Sequence, residues 1–177
     1  KQKYKKDWFE ETGPVYKIEV GLLKDIATLS IDTSGTGLHK RGYRKLVSSA
    51  PLKETLASAM IQISRWKKDR VLNDPFCGSG TIPIEAAMIG LNIAPGLNRE
   101  FVSVGWPQIT EKMWKDARAE ANDLKELDNE LLIQGSDIND EVMSLARYHA
   151  KLAGVDKHIH LQRRDMREIS SRHKYGF

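Results

Sequence analysis

The stretch Asp74-Pro75-Phe76-Cys77-Gly78-Ser79-Gly80-Thr81 constrains this 177-residue chain more than any other. Before it, Val71 and Leu72 read as a short buried β-strand. After it, Ile82 to Ile89 read as a helix closed by Gly90. A glycine-rich turn from a strand into a helix is where open α/β sheets bind ligands. Gly78 and Gly80 permit a sharp bend and a close approach to the backbone amides. The unpaired N–H groups of the first helical turn would then face an anionic group.

Two phosphate-binding patterns fit poorly. A P-loop ends in Gly-Lys-Ser/Thr, and Gly80 is followed directly by Thr81. The dinucleotide fingerprint has a further glycine where this chain has Pro83. Asp74, four residues ahead of Gly78-Ser79-Gly80, suits a ligand with an ammonium and a carboxylate. The aspartate attracts the first and the turn amides hold the second. S-adenosylmethionine carries both groups. A bare Gly-x-Gly is equally compatible with an ordinary tight turn, so the flanking residues matter.

Downstream, Leu131-Leu132-Ile133 reads as a strand ending at Gly135-Ser136-Asp137. Asn139 or Asp140 can cap a helix whose buried face is Val142, Leu145, Ala146, His149 and Ala153, with Gly154 as its stop. His149 reads as a core-edge residue rather than a catalyst. Ile159 to Leu161 forms a third strand, ending near Asp165-Met166. Upstream, Pro51 is expected to open a helix with an apolar stripe of Leu52, Leu56, Met60 and Ile63, near Ala59 and Trp66. After Gly90 the chain reads as irregular to about Thr110, with Phe101 and Trp106 as anchors, and Glu111 to Asn129 as an amphipathic helix on Met113, Trp114, Ala117, Ala121 and Leu124. This order predicts an α/β fold with a parallel sheet. Asp74, Asp137 and Asp165 then converge on one sheet edge. Asp137 is placed for two ribose hydroxyls, and Asp165 for a purine amine beside the Met166 N–H. Ile138 is placed to pack on the base. Taken singly, each aspartate reads as a cap or turn residue. Cys77 has no histidine near it in sequence and suits packing better than nucleophilic attack.

The octapeptide closely resembles the THUMP-associated RNA guanine-N2 methyltransferases. So do the Ile82-Pro83-Ile84-Glu85-Ala86-Ala87 that follows it and Asn92-Ile93-Ala94-Pro95-Gly96. Gly37-Leu38-His39-Lys40-Arg41-Gly42-Tyr43-Arg44 and Ala50-Pro51-Leu52-Lys53-Glu54 narrow the resemblance to that family, over about Val15 to Phe177. The resemblance implies a Rossmann-like, doubly wound methyltransferase fold, incomplete at its C-terminal end. It implies S-adenosylmethionine held by Asp74, Phe76, Cys77, Gly78, Ser79, Gly80 and Thr81, by Asp137 and Ile138, by Asp165 and Met166, and by Pro51 and Leu52. It also implies methyl transfer to a guanine N2 amine, foremost in 23S rRNA, with tRNA as the alternative.

Val15 to Leu23 and Asp25 to Thr33 alternate like a hairpin around Lys24-Asp25. In the resembling family such a hairpin closes or follows the THUMP module, so residues 1–36 are expected to end that module and 37–177 to begin the methyltransferase domain. The basic run Lys1 to Lys6 reads as a solvated linker. The net charge of +4 leans weakly toward nucleic acid. In His39, Lys40, Arg41, Tyr43, Arg44 and Lys45, cations interleave with a ring, the composition of a loop that contacts phosphate and stacks on a base. The lone cysteine excludes an internal disulfide and fits a reducing cytoplasm. No run approaches the ~18 apolar residues of a membrane span. No metal is expected.

The family's catalytic Asn/Asp-Pro-Pro-Tyr/Phe loop is absent, since none of the six prolines are adjacent. Tyr175-Gly176-Phe177 looks like the approach to a fourth strand that would carry it. On that basis the polypeptide is expected to continue, and these residues alone to leave the first strand open at the sheet edge and prone to aggregate. Two other readings stay open: a non-catalytic RNA-binding module with a retained pocket, and a DNA amino-methyltransferase.

Overall fold

The structure, a computed structural model, describes Trp8, residues 11–45 and residues 51–177; the Lys1–Lys6 run and Ala50 fall outside these. The described residues form two compact units. One runs up to Thr36 and includes Glu100–Lys115; the other comprises Gly37–Arg99 and Asp116–Phe177. No helix among the described residues is long and apolar enough to cross a membrane.

In the first unit, β1 (Lys17–Leu23) and β2 (Ile26–Asp32) form an antiparallel hairpin. Lys24 and Asp25 turn it with φ of 50° and 62°, the left-handed pair whose twist matches two-residue hairpins. The register sets Ile18 opposite Ile31 and Val20 opposite Leu29, giving the hairpin one apolar face, and all four residues are exposed. Trp106 stacks on Tyr16 with ring centroids 4.7 Å apart, and its Nε1 donates to the Val15 carbonyl at 2.9 Å. Phe101 stacks on Trp114 at 5.5 Å. Both expected anchors, Phe101 and Trp106, make these ring contacts within this unit.

In the second unit, β3 (Leu72–Asp74), β4 (Ile133–Asp137) and β5 (Ile159–Arg163) form a parallel sheet in the order β3-β4-β5. Leu72, Ile133 and Ile159 align across the three strands and are buried. They join a core with Ile84 and Ala87 of α2 (Thr81–Gly90) and Ala150 and Ala153 of α4 (Asp140–Ala153). Gln134 and His160, on the other face, are exposed. Among the described residues, α2 and α4 pack on the face of this sheet that carries Leu72, Ile133 and Ile159. The strands step in one direction, and right-handed crossovers then land on the same side. The open edge expected at β3 is paired at one rung: Phe177 N–H donates to the Val71 carbonyl at 3.0 Å, and Asn73 N–H to the Phe177 carbonyl at 2.8 Å.

Several helices differ from expectation in extent or rotation. The first, α1 (Glu54–Ile63), starts three residues after Pro51 with Lys53 at its N-cap. It packs on α2, with Glu54, Ala57 and Ile61 buried. The expected stripe of Leu56, Met60 and Ile63 is exposed; the face turned inward carries Ala57, Ile61 and Glu54, the last paired with Arg44. In α2, Gly90 belongs to the helix, and a Cβ there would meet Leu131 Cδ2 at 2.9 Å; close packing, not termination, demands glycine. The third helix, α3 (Glu111–Asp123), stops short of Asn129 and buries no residue. In α4, Asn139 is the cap, accepting from the Glu141 and Val142 amides, and Gly154 stops the helix at φ 74°. Met143 and Ala150 join Ala146, His149 and Ala153 on its buried face, whereas Val142 and Leu145 are half-buried.

Gly135 in the middle of β4 is expected to tolerate no side chain. A Cβ there would lie 2.8 Å from Leu161 Cδ2, 3.0 Å from Pro83 Cγ and 3.2 Å from Cys77 Cβ. Gly135→Ala should cost about 1–3 kcal/mol through overpacking. A urea midpoint equal to the parent's would show that the turn and α2 yield freely.

Candidate functional site

A cavity of about 340 Å³ opens at the C-terminal ends of β3 and β4. Asp74 ends β3, and its Oδ1 accepts from the Phe76 amide at 3.1 Å. Asp137 ends β4, with Oδ2 accepting from the Gly78 amide at 3.2 Å and Oδ1 from the Asn139 amide at 3.0 Å. The Cys77 amide donates to the Ser136 carbonyl at 2.9 Å, so the turn is laced to β4. Gly80 donates to the Cys77 carbonyl at 2.8 Å. The amides of Phe76, Cys77, Gly78 and Gly80 thus have partners within the protein, which narrows the expected amide cradle. Gly78 and Gly80 take φ of 52° and 84°, where glycine is favoured. A Cβ on Gly80 would also lie 3.1 Å from Ala146 Cβ.

The electrostatics favour a cation. Burial raises the Asp74 carboxyl above its ordinary range, the charge of Asp137 adds to this, and the Phe76 amide opposes it. Two carboxylates in one small cavity repel until something positive sits between them. Burial, then the charges of Asp74 and Asp137, push the Cys77 thiol up to about 12. Its Sγ lies 3.6 Å from Met143 Sδ, so it packs as an unreactive thiol.

The structure gathers most of the expected cofactor residues. Pro51 and Leu52 line the cavity on one side, with Asp74, Phe76 and Cys77 at the start of the turn. Gly78, Ser79, Thr81 and Asp137 complete it, while Gly80 lies outside the lining. Ile82 and Val142, which sequence reasoning did not single out, also line it. Their signal was positional, since each sits in the first turn of a helix that follows a strand end. Ile138, Asp165 and Met166, also expected at the cofactor, lie outside this lining. Ile138 and Met166 are exposed. The Asp165 carboxylate accepts from the Arg167 amide at 2.9 Å and from its guanidinium, which holds its pKa below the usual range. Here it is a cap and an exposed ion pair.

The segment expected to grip nucleic acid lies beside a second cavity of about 590 Å³, which shares Pro51 with the first. Tyr43 is 1% exposed and donates its hydroxyl to Glu85 Oε1 at 3.1 Å. Arg41 Nη2 pairs with Glu85 Oε2 at 3.4 Å. Burial raises the Glu85 carboxyl, and the Arg41 charge and Tyr43 hydroxyl pull against it. Arg44 Nη1 pairs with the buried Glu54 at 3.4 Å, and its Nη2 donates to the Leu52 carbonyl at 3.1 Å and to Thr81 Oγ1. The Tyr43 ring is therefore closed to base stacking, and Arg41 and Arg44 serve internal carboxylates. Gly42 makes this possible: it has φ 95°, and a Cβ would fall 1.8 Å from the Asn98 carbonyl oxygen. Lys40, Lys45 and Lys53 are exposed.

A glycine turn at the edge of a parallel sheet, walled by two strand-end aspartates, defines a ligand-binding α/β domain of the Rossmann-like kind. The chain belongs to the family described as "RMKL-like, methyltransferase domain", which it matches over residues 41–177. It is 48% identical over 170 residues to YpsC of Bacillus subtilis (strain 168), a candidate RNA methyltransferase by its name; the match covers 96% of this chain and 44% of that one. Among solved structures it resembles a predicted N6-adenine-specific DNA methylase from Listeria monocytogenes str. 4b F2365, with TM-score 0.90 and 50% identity over 94% of this chain and 44% of that one. It also resembles SMU.472, a candidate methyltransferase complexed with SAH, with TM-score 0.86 and 42% identity over 94% of this chain and 43% of that one. The chain spans under half the length of these relatives.

The buried assignment of Tyr43 makes a direct test. Tyr43→Phe should destabilise the protein by about 1–2 kcal/mol, since Glu85 loses a buried donor. Denaturant unfolding reads this out. An unchanged midpoint would return the ring to the surface and to base stacking.

Proposed function

We propose that this chain is the cofactor-binding part of an S-adenosylmethionine-dependent RNA methyltransferase. Its target would be the exocyclic N2 amine of a guanine, in 23S rRNA ahead of tRNA. The observation that carries the cofactor is that the strand-end carboxylates of Asp74 and Asp137 line one cavity with the glycine turn, which suits a ligand with a cationic group. When bound, adenosylmethionine supplies an electrophilic methyl group on a sulfonium. Asp74 attracts its ammonium and Asp137, with lone pairs left beyond its two amide bonds, accepts from the ribose hydroxyls. Pro51, Leu52, Phe76 and Ile82 exclude water around it. The chain's part in catalysis is then positioning. With no tandem proline in the sequence, none of its side chains is assigned to the acceptor amine.

RNA ahead of DNA follows from the family resemblance and from the name of the Bacillus relative. By the same resemblance, we assign the β1–β2 hairpin to the end of a THUMP-type module and residues 37–177 to the methyltransferase domain. The RNA-facing groups would be His39 and the exposed Lys40, Lys45 and Lys53, because Arg41 and Arg44 have internal partners. Methylation of DNA adenine is the second reading, favoured by the name of the Listeria structure.

Incubation with labelled adenosylmethionine and unmodified rRNA, tRNA or duplex DNA, followed by nucleoside mass spectrometry, separates these. N2-methylguanosine in RNA is expected; N6-methyladenine in DNA would replace the proposal. For the cofactor, Asp137→Ala should weaken adenosylmethionine binding about tenfold or more in calorimetry. Unchanged affinity in a folded variant would remove Asp137 from the site. The affinity should also fall on acidification. Only ionised Asp74 attracts the ammonium, and its pKa is raised, so attraction is lost as pH falls through that raised value. In the free protein the linkage runs the other way: the stability tied to protonated Asp74 is lost as pH rises through it. Asp74→Asn should flatten the pH dependence of binding, and an unaltered profile would point to another group.

A further inference from the structure

We infer that Arg44 is a positioning residue for the cofactor pocket, tying two of its walls to the buried carboxylate of Glu54. The contacts converge on one guanidinium. Nη1 pairs with Glu54 Oε1 at 3.4 Å, and Glu54 is 3% exposed. Nη2 donates to the Leu52 carbonyl at 3.1 Å and to the Thr81 hydroxyl. Leu52 and Thr81 are far apart in sequence, yet both line the smaller cavity. Arg44 itself lines the larger cavity and not the smaller, so it stands behind the shared wall. Thr81 is also the first residue of α2, immediately after the left-handed Gly80. A cation at a helix N-terminus is unfavourable on its own. Glu54 offsets that charge, which leaves the guanidinium fork free to act as a rigid spacer.

This arrangement changes what the segment 39–45 does. Sequence composition put Arg44 with the nucleic-acid contacts and independent of the cofactor. The geometry gives it the opposite dependence. The neighbouring Arg41–Glu85–Tyr43 cluster is comparably buried, and its side chains bond one another and the Leu38 carbonyl. It supplies an internal control, since its disruption is expected to cost stability while leaving the Arg44 bonds to Leu52 and Thr81 in place.

The role presupposes adenosylmethionine as the ligand, so the parent protein's binding is measured first. Arg44→Lys keeps the charge beside Glu54 but cannot reach Glu54, Leu52 and Thr81 together. It is expected to weaken adenosylmethionine binding about tenfold in calorimetry, while Arg41→Lys leaves the affinity within about twofold despite a similar loss of thermal stability. Thr81→Val in the Arg44→Lys background should then add less than it does alone, because the two act through one contact. Equal affinities of parent and Arg44→Lys would overturn the inference, as would equal weakening by Arg41→Lys or full additivity with Thr81→Val. A parent that binds no adenosylmethionine would overturn the cofactor assignment and the inference with it.

Discussion

The pair of bonds that lace the glycine turn to β4 holds the site together. Cys77 N–H to the Ser136 carbonyl and Gly78 N–H to the Asp137 carboxylate fasten a loop after one strand to the end of the next. Such a turn cannot hold its shape alone, since Gly78 and Gly80 are the residues with most conformational freedom to lose. The lacing makes Asp137 structural and functional at once. One carboxylate shapes the turn through Gly78, starts the approach to α4 through Asn139, and still faces the cavity.

Close packing under the turn follows from that constraint. Gly135 has no side chain because Leu161, Pro83 and Cys77 already fill the space. Cys77 meets Met143 and Gly80 meets Ala146, so α4 presses on the turn from the far side. Tight packing beneath a ligand turn limits its alternatives and holds the two aspartates close enough to feel each other. Burial raises the Asp74 carboxyl, and the nearby charge of Asp137 adds a smaller push in the same direction.

A second layer of order lies behind the pocket. Two buried carboxylates, Glu54 on α1 and Glu85 on α2, are met by Arg41, Tyr43 and Arg44 from one short segment. A buried ion pair contributes little net stability compared with apolar packing, but losing one partner is costly. Such pairs fix orientation more than they stabilise. Glu54 shares the buried face of α1 with Ala57 and Ile61, and Leu56, Met60 and Ile63 turn outward although their spacing reads as a buried stripe.

What the sequence determined by itself was local. The octapeptide, with its glycines and flanking apolar runs, was enough to place a strand, a sharp turn and a helix. The aspartates at the strand ends were visible as positions, and so were a cap at Asn139 or Asp140, Gly154 as stop and Lys24-Asp25 as a hairpin turn, because each depends on neighbours a few residues away. Tertiary structure decided which polar groups meet. Asp165 looked equivalent to Asp74 and Asp137, yet Arg167 captures it outside the cavity. Arg41, Tyr43 and Arg44 looked like a surface patch, because composition does not reveal that Glu54 and Glu85 are buried carboxylates requiring partners. The same blindness turned α1 to the wrong face. Periodicity weighs apolar residues, and it does not show that Glu54 shares the buried face because Arg44, outside the helix, meets it there.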